Sequence, residues 1–378
     1  MTPFAIVAPP RILFGRGQAG QAGAALAAFG SRAFVVHGRD ASRVAPVMDS
    51  VQASGLAILG HACPREPTLA MLEAALGAAR AFGADCVLGL GGGAAMDLAK
   101  AVAALAPGGE PMDHLEVVGR GLPLRHAPLP FVAMPTTSGT GSEVTKNAVI
   151  DVTEARRKVS LRDDRMMARV AIVDPALTDG CPRGVTLASG LDALTQVIEP
   201  YVSTRANPWT DALCRDAIPR AIAALQTLMT REDADARDAI AWASLCGGLA
   251  LANAGLGAVH GLAGPAGGLS GAAHGAICGA LLPHVLRANS RAVPAGSVAA
   301  ARLSEVAAWL AEGFGAPDGF AALEGFARGS GLPGLTAMGI TADMHPELAE
   351  AAQVGSSMKA NPAPLSAAAL LAVLAAAS

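Results

Sequence analysis

The sequence predicts two domains, an α/β domain with a parallel sheet in residues 1–178 and an all-helical domain in residues 179–378. The 378 residues exceed what one hydrophobic core usually needs and suffice for two. Short apolar stretches alternate with helical stretches as far as Thr178, a pattern typical of βαβ units. Beyond Thr178 this alternation stops, and segments rich in alanine and leucine carry apolar residues at three- and four-residue spacing.

The composition argues against several classes of function. The formal net charge of −3 gives no reason to expect a nucleic-acid partner. No apolar run free of glycine, proline and charge reaches the length of a membrane span, and residues 1–4 lack the basic region of a signal peptide. The six cysteines are scattered without a CxxC pair, so we expect each to be a small buried hydrophobic residue in a cytoplasmic protein.

Two glycine-rich turns are candidates for holding the pyrophosphate of a dinucleotide. Residues 15–20 match the pattern GxGxxG after a short strand, but residues 329–334 match it without a strand, so this match is weak. The strand at 86–90 runs into three consecutive glycines, 91–93, and then into a helix. Glycines let a phosphate approach the backbone and a helix N-terminus offers unpaired N–H groups, so this turn is the stronger candidate. An ordinary tight turn is the alternative, and the missing GxxxxGK[ST] pattern disfavours a P-loop hydrolase.

The turn after the second strand bears on the choice between NAD and NADP. Residues just past this strand commonly meet the adenosine ribose, where an acidic side chain favours NAD. Gly38 leaves room there, and Arg39 and Arg43 are placed to meet a 2′-phosphate, whereas Asp40 favours NAD. The choice stays open, with a slight preference for NADP, and an ordinary turn is the alternative reading.

A loop dense in hydroxyl groups follows the strand at 131–134. Residues 135–145, PTTSGTGSEVT, hold five hydroxyl side chains and two glycines. Loops at the carboxyl ends of strands are where α/β sheets bind ligands, so we expect this loop to take part in binding rather than to be a plain solvated loop.

One carboxylate and two imidazoles in the second half form a candidate metal site. Asp192 and Gln196 lie four residues apart and share one face of a predicted helix. His260 and His274 each precede a glycine in a stretch with little other polar chemistry. Such a set suffices for a catalytic divalent metal with a position left open for substrate. Taken singly, these residues more often serve as helix caps or as buried, hydrogen-bonded imidazoles.

These motifs together resemble the iron-containing (group III) alcohol dehydrogenase family. The likeness spans nearly the whole chain in the family's order, in GGGAAMDLAK at 91–100, PTTSGTGSEVT at 135–145, DPAL at 174–177, GLDAL at 190–194 and the segment of His260 and His274. The resemblance implies the fold of dehydroquinate synthase and glycerol dehydrogenase, with a dinucleotide-binding α/β domain, a helical metal and substrate domain and an active site in the cleft. It also implies a homodimer that acts on a small alcohol, aldehyde or ketone with NAD or NADP.

The resemblance assigns roles to individual residues of this chain. Those it places near the cofactor, beside Gly38 and Arg39, are Gly92, Gly93, Ala94, Asp97, Thr136, Thr137, Thr140, Ser142, Lys158 and Leu177. Ala94 replaces a serine that members often have, so one side-chain hydrogen bond to the phosphate is missing.

The implied metal site departs from the family's four ligands at one position. Asp192, His260 and His274 match three ligands, but Gln196 stands where members have a second histidine. Gly264 likewise stands where many members have another histidine near the nicotinamide. We therefore expect Fe²⁺ or Zn²⁺ on three ligands, with Gln196 as a weak fourth ligand or a neighbouring group. An empty site whose Gln196 caps a polar network is the alternative.

The resemblance predicts an NAD(P)-dependent alcohol dehydrogenase whose metal acts as a Lewis acid on the substrate oxygen. A metal-free reductase of the maleylacetate reductase type is one alternative, although Asp192 would repel its acidic substrate. A lyase resembling dehydroquinate synthase, or a silent nucleotide-binding protein, is the other. Such a lyase needs several basic residues for a phosphorylated substrate, and the chain has four lysines.

Overall fold

The computed structural model describes residues 3–378, so the first two residues of the N-terminal segment discussed above lie outside the described part. The chain divides into two compact units. The α/β unit comprises Ala8–Thr137 and Gly141–Asp179, and the helical unit comprises Gly180–Ser378 with Ser138–Thr140 and the described residues up to Val7.

The α/β unit is built on a six-stranded sheet with helices on its faces. The unit has eight strands, of which all but β6 and β7 belong to this sheet. They are β1 Ile12–Phe14, β2 Arg32–His37, β3 Ala57–Ala62, β4 Cys86–Gly91, β5 Phe131–Pro135, β6 Asn147–Val152, β7 Arg157–Arg162 and β8 Val170–Val173. Its helices are α1 Ala22–Ala27, α2 Ala45–Ala53, α3 Leu69–Phe82, α4 Gly93–Leu105 and α5 Pro111–His114. The predicted class of fold, an α/β region with a parallel sheet followed by helices, is confirmed.

The strand order β1-β8-β5-β4-β2-β3 decides where a ligand fits. All neighbouring strands in this sheet are parallel. The chain proceeds from β2 outward to β3 and from β4 outward through β5, so the strand order reverses between β2 and β4. Such a reversal opens a crevice at the carboxyl ends of the strands, where α/β sheets bind ligands.

The sheet is buried on both faces, as a parallel sheet requires. Phe34, Val36 and Val87 join one apolar cluster, and their neighbours Val35 and Leu88 join the cluster on the opposite face. The strands β6 and β7 form a separate antiparallel pair that the sequence did not predict.

The helical unit packs nine helices of the described chain around one apolar core. They are α6 Arg183–Val202, α7 Pro208–Leu228, α8 Ala234–Ala254, α9 Ala258–Ser270, α10 His274–Ala292, α11 Val298–Phe314, α12 Gly319–Gly329, α13 His345–Val354 and α14 Ala367–Ala376. Within residues 3–378 no single helix is long and apolar enough to cross a membrane, although α8 and α9, bent by 102° at their break, pass that test as a pair.

Candidate active site

Three helices of the helical unit bring the candidate metal ligands together. Asp192 lies on α6, His260 near the start of α9 and His274 at the first position of α10. His260 Nε2 lies 3.5 Å from Asp192 Oδ1, and His274 Nε2 lies 4.0 Å from the same oxygen. Residues separated by up to 82 positions therefore converge on one carboxylate oxygen.

Glycines on α10 explain how His274 reaches Asp192. A Cβ atom at Gly275 would lie 2.3 Å from the carbonyl oxygen of Ala188, and one at Gly279 would lie 2.6 Å from Leu191 Cδ1. A larger residue at Gly275 would push α10 away from the backbone of α6, whereas one at Gly279 would displace the side chain of Leu191. The glycine after His274 thus sets the distance between two ligands.

Two buried oxygen atoms of this cluster have no hydrogen-bond partner in the described chain, and a bound cation would compensate for this. Asp192 is 2% exposed, and its Oδ1 has no hydrogen-bond partner among the described residues. Gln196 donates from Nε2 to the carbonyl oxygen of Gly139 at 3.1 Å, while its Oε1 is also without a partner in the described chain. Unpaired buried acceptors are costly, so this donor set fits a bound metal ion.

The ionisable groups hold one another in charged forms. Burial alone would raise the pKa of the Asp192 carboxyl, but the two imidazoles outweigh burial and hold that pKa below its usual range. Burial would lower the pKa of both imidazoles. Electrostatic interactions and hydrogen bonding with Cys278 and Asp192 instead raise the pKa of His274 to about 9, and with Glu199 they raise the pKa of His260 well above its usual value. Protons and a metal ion therefore compete for the same ring nitrogens.

Glu199 is a member of the site that sequence reasoning missed. Its Oε2 lies 2.6 Å from His260 Nδ1, and its Oε1 accepts a hydrogen bond from the N–H of Val259 at 2.7 Å. A carboxylate on Nδ1 fixes the tautomer and leaves Nε2 to face Asp192. The signal was present, because Glu199 follows Asp192 by seven residues and lies on the same helical face.

Glu199→Gln is expected to lower metal affinity by about 10- to 100-fold, because one of its two acceptor oxygens becomes an amide NH₂. Titration of the metal-free protein with Zn²⁺ measures the effect. Glu324→Gln is a matched control, since Glu324 also faces a histidine, with His284 Nε2 at 3.8 Å. Equal Zn²⁺ affinity in the Glu199 variant and the parent would contradict this role.

Cys278, expected to be a small buried hydrophobic residue, also lies beside this cluster. The residue is fully buried, as expected, but its Sγ lies 3.5 Å from His274 Nε2 and 4.0 Å from His260 Nε2. The ligand atoms of Asp192, His260, His274 and Cys278 all lie within 4.8 Å of one another. The spacing of four residues between His274 and Cys278 on one helix was the available signal.

In the α/β unit, glycines bring the ends of β2, β4 and β5 close together. A Cβ atom at Gly91 would lie 3.2 Å from the backbone nitrogen of Gly38, and one at Gly92 would lie 3.2 Å from Thr137 Oγ1. Gly92 is the N-cap of α4 and makes no side-chain cap, so the first N–H groups of this helix are available to a phosphate. Gly15–Gly20, by contrast, follows β1 at the sheet edge.

Comparison with known proteins decides the family. A model described as "Iron-containing alcohol dehydrogenase" matches residues 9–175, and one for the family's C-terminal region matches residues 186–378. The chain belongs to the iron-containing alcohol dehydrogenase family. Membership implies a nicotinamide cofactor and an iron or other divalent metal ion.

Individual relatives of the family span the chain to different extents. Lactaldehyde reductase of Escherichia coli is 37% identical over 249 residues, which cover 65% of this chain and 64% of that protein. 4-Hydroxybutyrate dehydrogenase of Cupriavidus necator is 34% identical over 85% of both chains. A solved 1,3-propanediol oxidoreductase has a TM-score of 0.87 at 27% identity, with both chains fully covered. The chain thus spans less than two thirds of the first of these relatives.

The family's aspartate and lysine on α4 fix the hydroxyl loop. Lys100, 1% exposed, donates from Nζ to the carbonyl oxygen of Ser142 at 2.9 Å and to Thr145 Oγ1 at 3.0 Å. Asp97 accepts from Ser142 Oγ at 2.9 Å and from the N–H of Val149 at 3.2 Å. Asp97 and Ser142, both expected near the cofactor, therefore hold the loop in place from within the α/β unit.

Glu143 beside this cluster gives the stability a dependence on pH. Burial raises the pKa of Glu143 from 4.5 to about 7, against the opposing effects of its backbone hydrogen bond and of Lys100. The folded state therefore binds more protons than the unfolded state between these values, so stability falls as pH rises from about 4.5 to 7. Glu143→Gln is expected to remove this slope and to add on the order of 2–3 kcal/mol at pH 8, with little change below pH 4.5. Urea unfolding across that range measures it, and an unchanged slope would contradict the assignment.

The remaining expected cofactor residues lie in several places. Lys158, on β7, forms an ion pair with Glu66. Arg39 donates from its guanidinium to the carbonyl oxygen of Pro64 at 3.3 Å, and Leu177 packs against the core of the α/β unit. Thr140 belongs to the helical unit.

Gly264 on α9, expected to stand where many members of the family have a histidine, has open space beside it. Gly264 lies one turn after His260, and a Cβ atom there would meet no atom within 4 Å. No other side chain of the described residues therefore packs against position 264 where a histidine would lie.

Proposed function

We propose that the chain is an NAD(P)-dependent alcohol dehydrogenase that also reduces aldehydes or ketones. The observation that carries this proposal is the buried cluster of Asp192, His260 and His274, in which Asp192 Oδ1 has no hydrogen-bond partner among the described residues. Residues 1–178 would bind the dinucleotide, and residues 179–378 would bind the metal and the substrate. The reductase and dehydrogenase names of the relatives support the same reaction class.

The metal ligands are Asp192, His260 and His274, with Gln196 beside them. When bound, the metal would act as a Lewis acid on the substrate oxygen, and the nicotinamide would carry the hydride. Asp192 is held ionised by the two imidazoles, and Glu199 orients His260. The side chain of His274 is 33% exposed against 2% for Asp192, so substrate would approach from the His274 side.

The dinucleotide would lie over the carboxyl ends of β2, β4 and β5. The residues proposed to contact or support it are Gly38, Arg39, Gly92, Gly93, Ala94, Asp97, Thr136, Thr137, Thr140, Ser142, Lys158 and Leu177. The proximity of Gly38, Gly91, Gly92 and Thr137 and the uncapped start of α4 support this placement. Gly38 gives space for the 2′-phosphate of NADP.

The lysines disfavour a lyase that acts on a phosphorylated substrate. Lys100 is buried and hydrogen bonded, Lys146 pairs with Asp164, and Lys158 pairs with Glu66. Three of the four lysines are therefore already engaged within the α/β unit, and Asp192 would repel an anionic substrate of a metal-free reductase.

We also propose that the chain forms a homodimer and is cytoplasmic. The strand β1 is at the edge of the sheet, a position where a second copy of the chain can add its own strand, which supports a homodimer. Light scattering measures the mass of the assembly, and a monomer would overturn the dimer.

The six cysteines are all free, which supports a cytoplasmic location.

The decisive experiment combines metal analysis with an activity screen. Purified protein is expected to hold about one divalent metal per chain and to oxidise primary alcohols with NAD or NADP. Chelation should abolish turnover and leave binding of NAD(P)H, measured by fluorescence, intact, and Zn²⁺ or Fe²⁺ should restore the rate. A metal-stripped protein that keeps its full rate would overturn the proposal.

A further inference from the structure

The sulfur atom of Cys278 lies where a metal ligand would lie. Its distances to His274 Nε2 and His260 Nε2 are 3.5 and 4.0 Å, and the distances from Asp192 Oδ1 to His260 and His274 are 3.5 and 4.0 Å. The two ring nitrogens therefore face the sulfur and the carboxylate oxygen at matching distances. Four donor atoms from three helices surround one point.

These distances suit a zinc site with four protein ligands in tetrahedral arrangement, to which the substrate oxygen would add as a fifth ligand. Metal bonds of about 2.0–2.1 Å to nitrogen or oxygen and 2.3 Å to sulfur give tetrahedral edges of about 3.3 Å between N and O and about 3.6 Å between N and S. The four measured separations are close to these edges. Small side-chain shifts on metal binding would shorten the two separations of 4.0 Å to the expected lengths. All four ligand atoms lie within 4.8 Å of one another, so metal binding draws each pair together by at most about 1.5 Å.

Gln196 is the competing fourth donor, and its amide is already anchored. Its Nε2 donates a hydrogen bond to the carbonyl oxygen of Gly139, and its Oε1 is a neutral atom that binds metal ions weakly. A thiolate is a far better ligand for zinc than an amide oxygen. Cys278 is also tied to the site by its own helix, because α10 carries His274 one turn earlier and packs closely on α6 through Gly275.

We propose that Cys278 Sγ is the fourth protein ligand of the metal, which makes a site of one aspartate, two histidines and one cysteine that selects Zn²⁺ over Fe²⁺. Gln196 is then a neighbour of the site, held by its hydrogen bond to Gly139, rather than a ligand. The proposal rests on the metal-dependent function proposed above. Thiolate ligation makes the site softer than carboxylate and imidazole alone, which accounts for the preference for zinc.

Cobalt substitution tests the ligand directly, independently of activity. Full-length protein reconstituted with one equivalent of Co²⁺ is expected to show a thiolate-to-cobalt charge-transfer band in the near ultraviolet. Cys278→Ser should lose this band and bind Zn²⁺ about a hundredfold more weakly or worse. Cys214→Ser, at a fully buried cysteine on α7 outside the cluster, is the matched control and should keep the band. X-ray absorption of the zinc form should show one sulfur at about 2.3 Å.

A second variant covers the case in which Cys278→Ser fails to fold. Cys278→His supplies a nitrogen donor from the same position, so it should retain bound metal and lose the charge-transfer band. Wild-type protein that binds one Co²⁺ without the band would overturn Cys278 as a ligand while the dehydrogenase function stands. Wild-type protein that binds no divalent metal would overturn the metal site and the proposed function together. Persistence of the band in either Cys278 variant would also overturn the ligand.

Discussion

Asp192→Asn is expected to lower kcat/KM for alcohol oxidation by at least about a thousandfold, which corresponds to about 4 kcal/mol of lost transition-state stabilisation. Asparagine preserves the shape of the side chain but removes the negative charge toward which His260 and His274 converge. The variant should also lose the metal, because a neutral amide oxygen replaces the carboxylate. Metal content by mass spectrometry and the rate of NAD(P)H formation measure the two effects.

The control for Asp192→Asn separates loss of the site from loss of the fold. Asp216→Asn removes a carboxylate that pairs with Arg220 on the surface of α7 and should leave both metal content and rate unchanged. NAD(P)H binding should persist in both variants, since the proposed dinucleotide site lies in the other unit. An Asp192→Asn protein that keeps one metal per chain and a near-normal rate would rule out Asp192 as a ligand.

Gly38→Asp is expected to lower kcat/KM with NADP by about a hundredfold relative to NAD, because like charges placed side by side cost several kcal/mol. A Cβ atom at Gly38 would meet no atom within 4 Å, so the protein can accept the new side chain. The carboxylate would repel a 2′-phosphate and accept a hydrogen bond from a free 2′-hydroxyl. Parallel kinetics with both cofactors measure the ratio.

A surface glycine provides the comparison for Gly38→Asp. Gly77 is exposed on α3, and a Cβ atom there also meets no neighbour, so Gly77→Asp adds the same charge to the same unit. It should leave the ratio of NADP to NAD efficiency at the parent value. If Gly38→Asp changes the two efficiencies equally, the adenosine ribose does not lie at the end of β2.

The alternation of strands and helices was readable from the sequence because parallel strands are buried on both faces and appear as apolar runs. β4 and β5 illustrate this, since each was predicted within one residue of its end. The β6–β7 pair was missed because β6 alternates half-buried with buried residues and β7 begins and ends with exposed arginines. Such strands resemble polar loops unless a period of two is sought.

The convergence of Asp192, His260 and His274 was expected from motifs, but Glu199 and Cys278 were not. A side chain joins such a cluster only if its helix faces the right neighbour at the right distance, and helix packing is set by residues far away in sequence. Glu199 reaches His260 because α9 begins beside α6. Cys278 lies one turn after His274 on α10 and reaches His260 because α10 also packs against α9. Spacing within one helix identifies a face, but not what that face meets.

The close contact of α10 with α6 through Gly275 and Gly279 separates what the backbone packing fixes from what the donor side chains decide. Enlarging Gly275 would force the two helices apart, because its Cβ atom would lie 2.3 Å from the backbone carbonyl oxygen of Ala188. The donor side chains, in contrast, project from packed helices and can be substituted one at a time. Substituting a donor side chain can therefore change which ion binds while the packing of the two helices is kept.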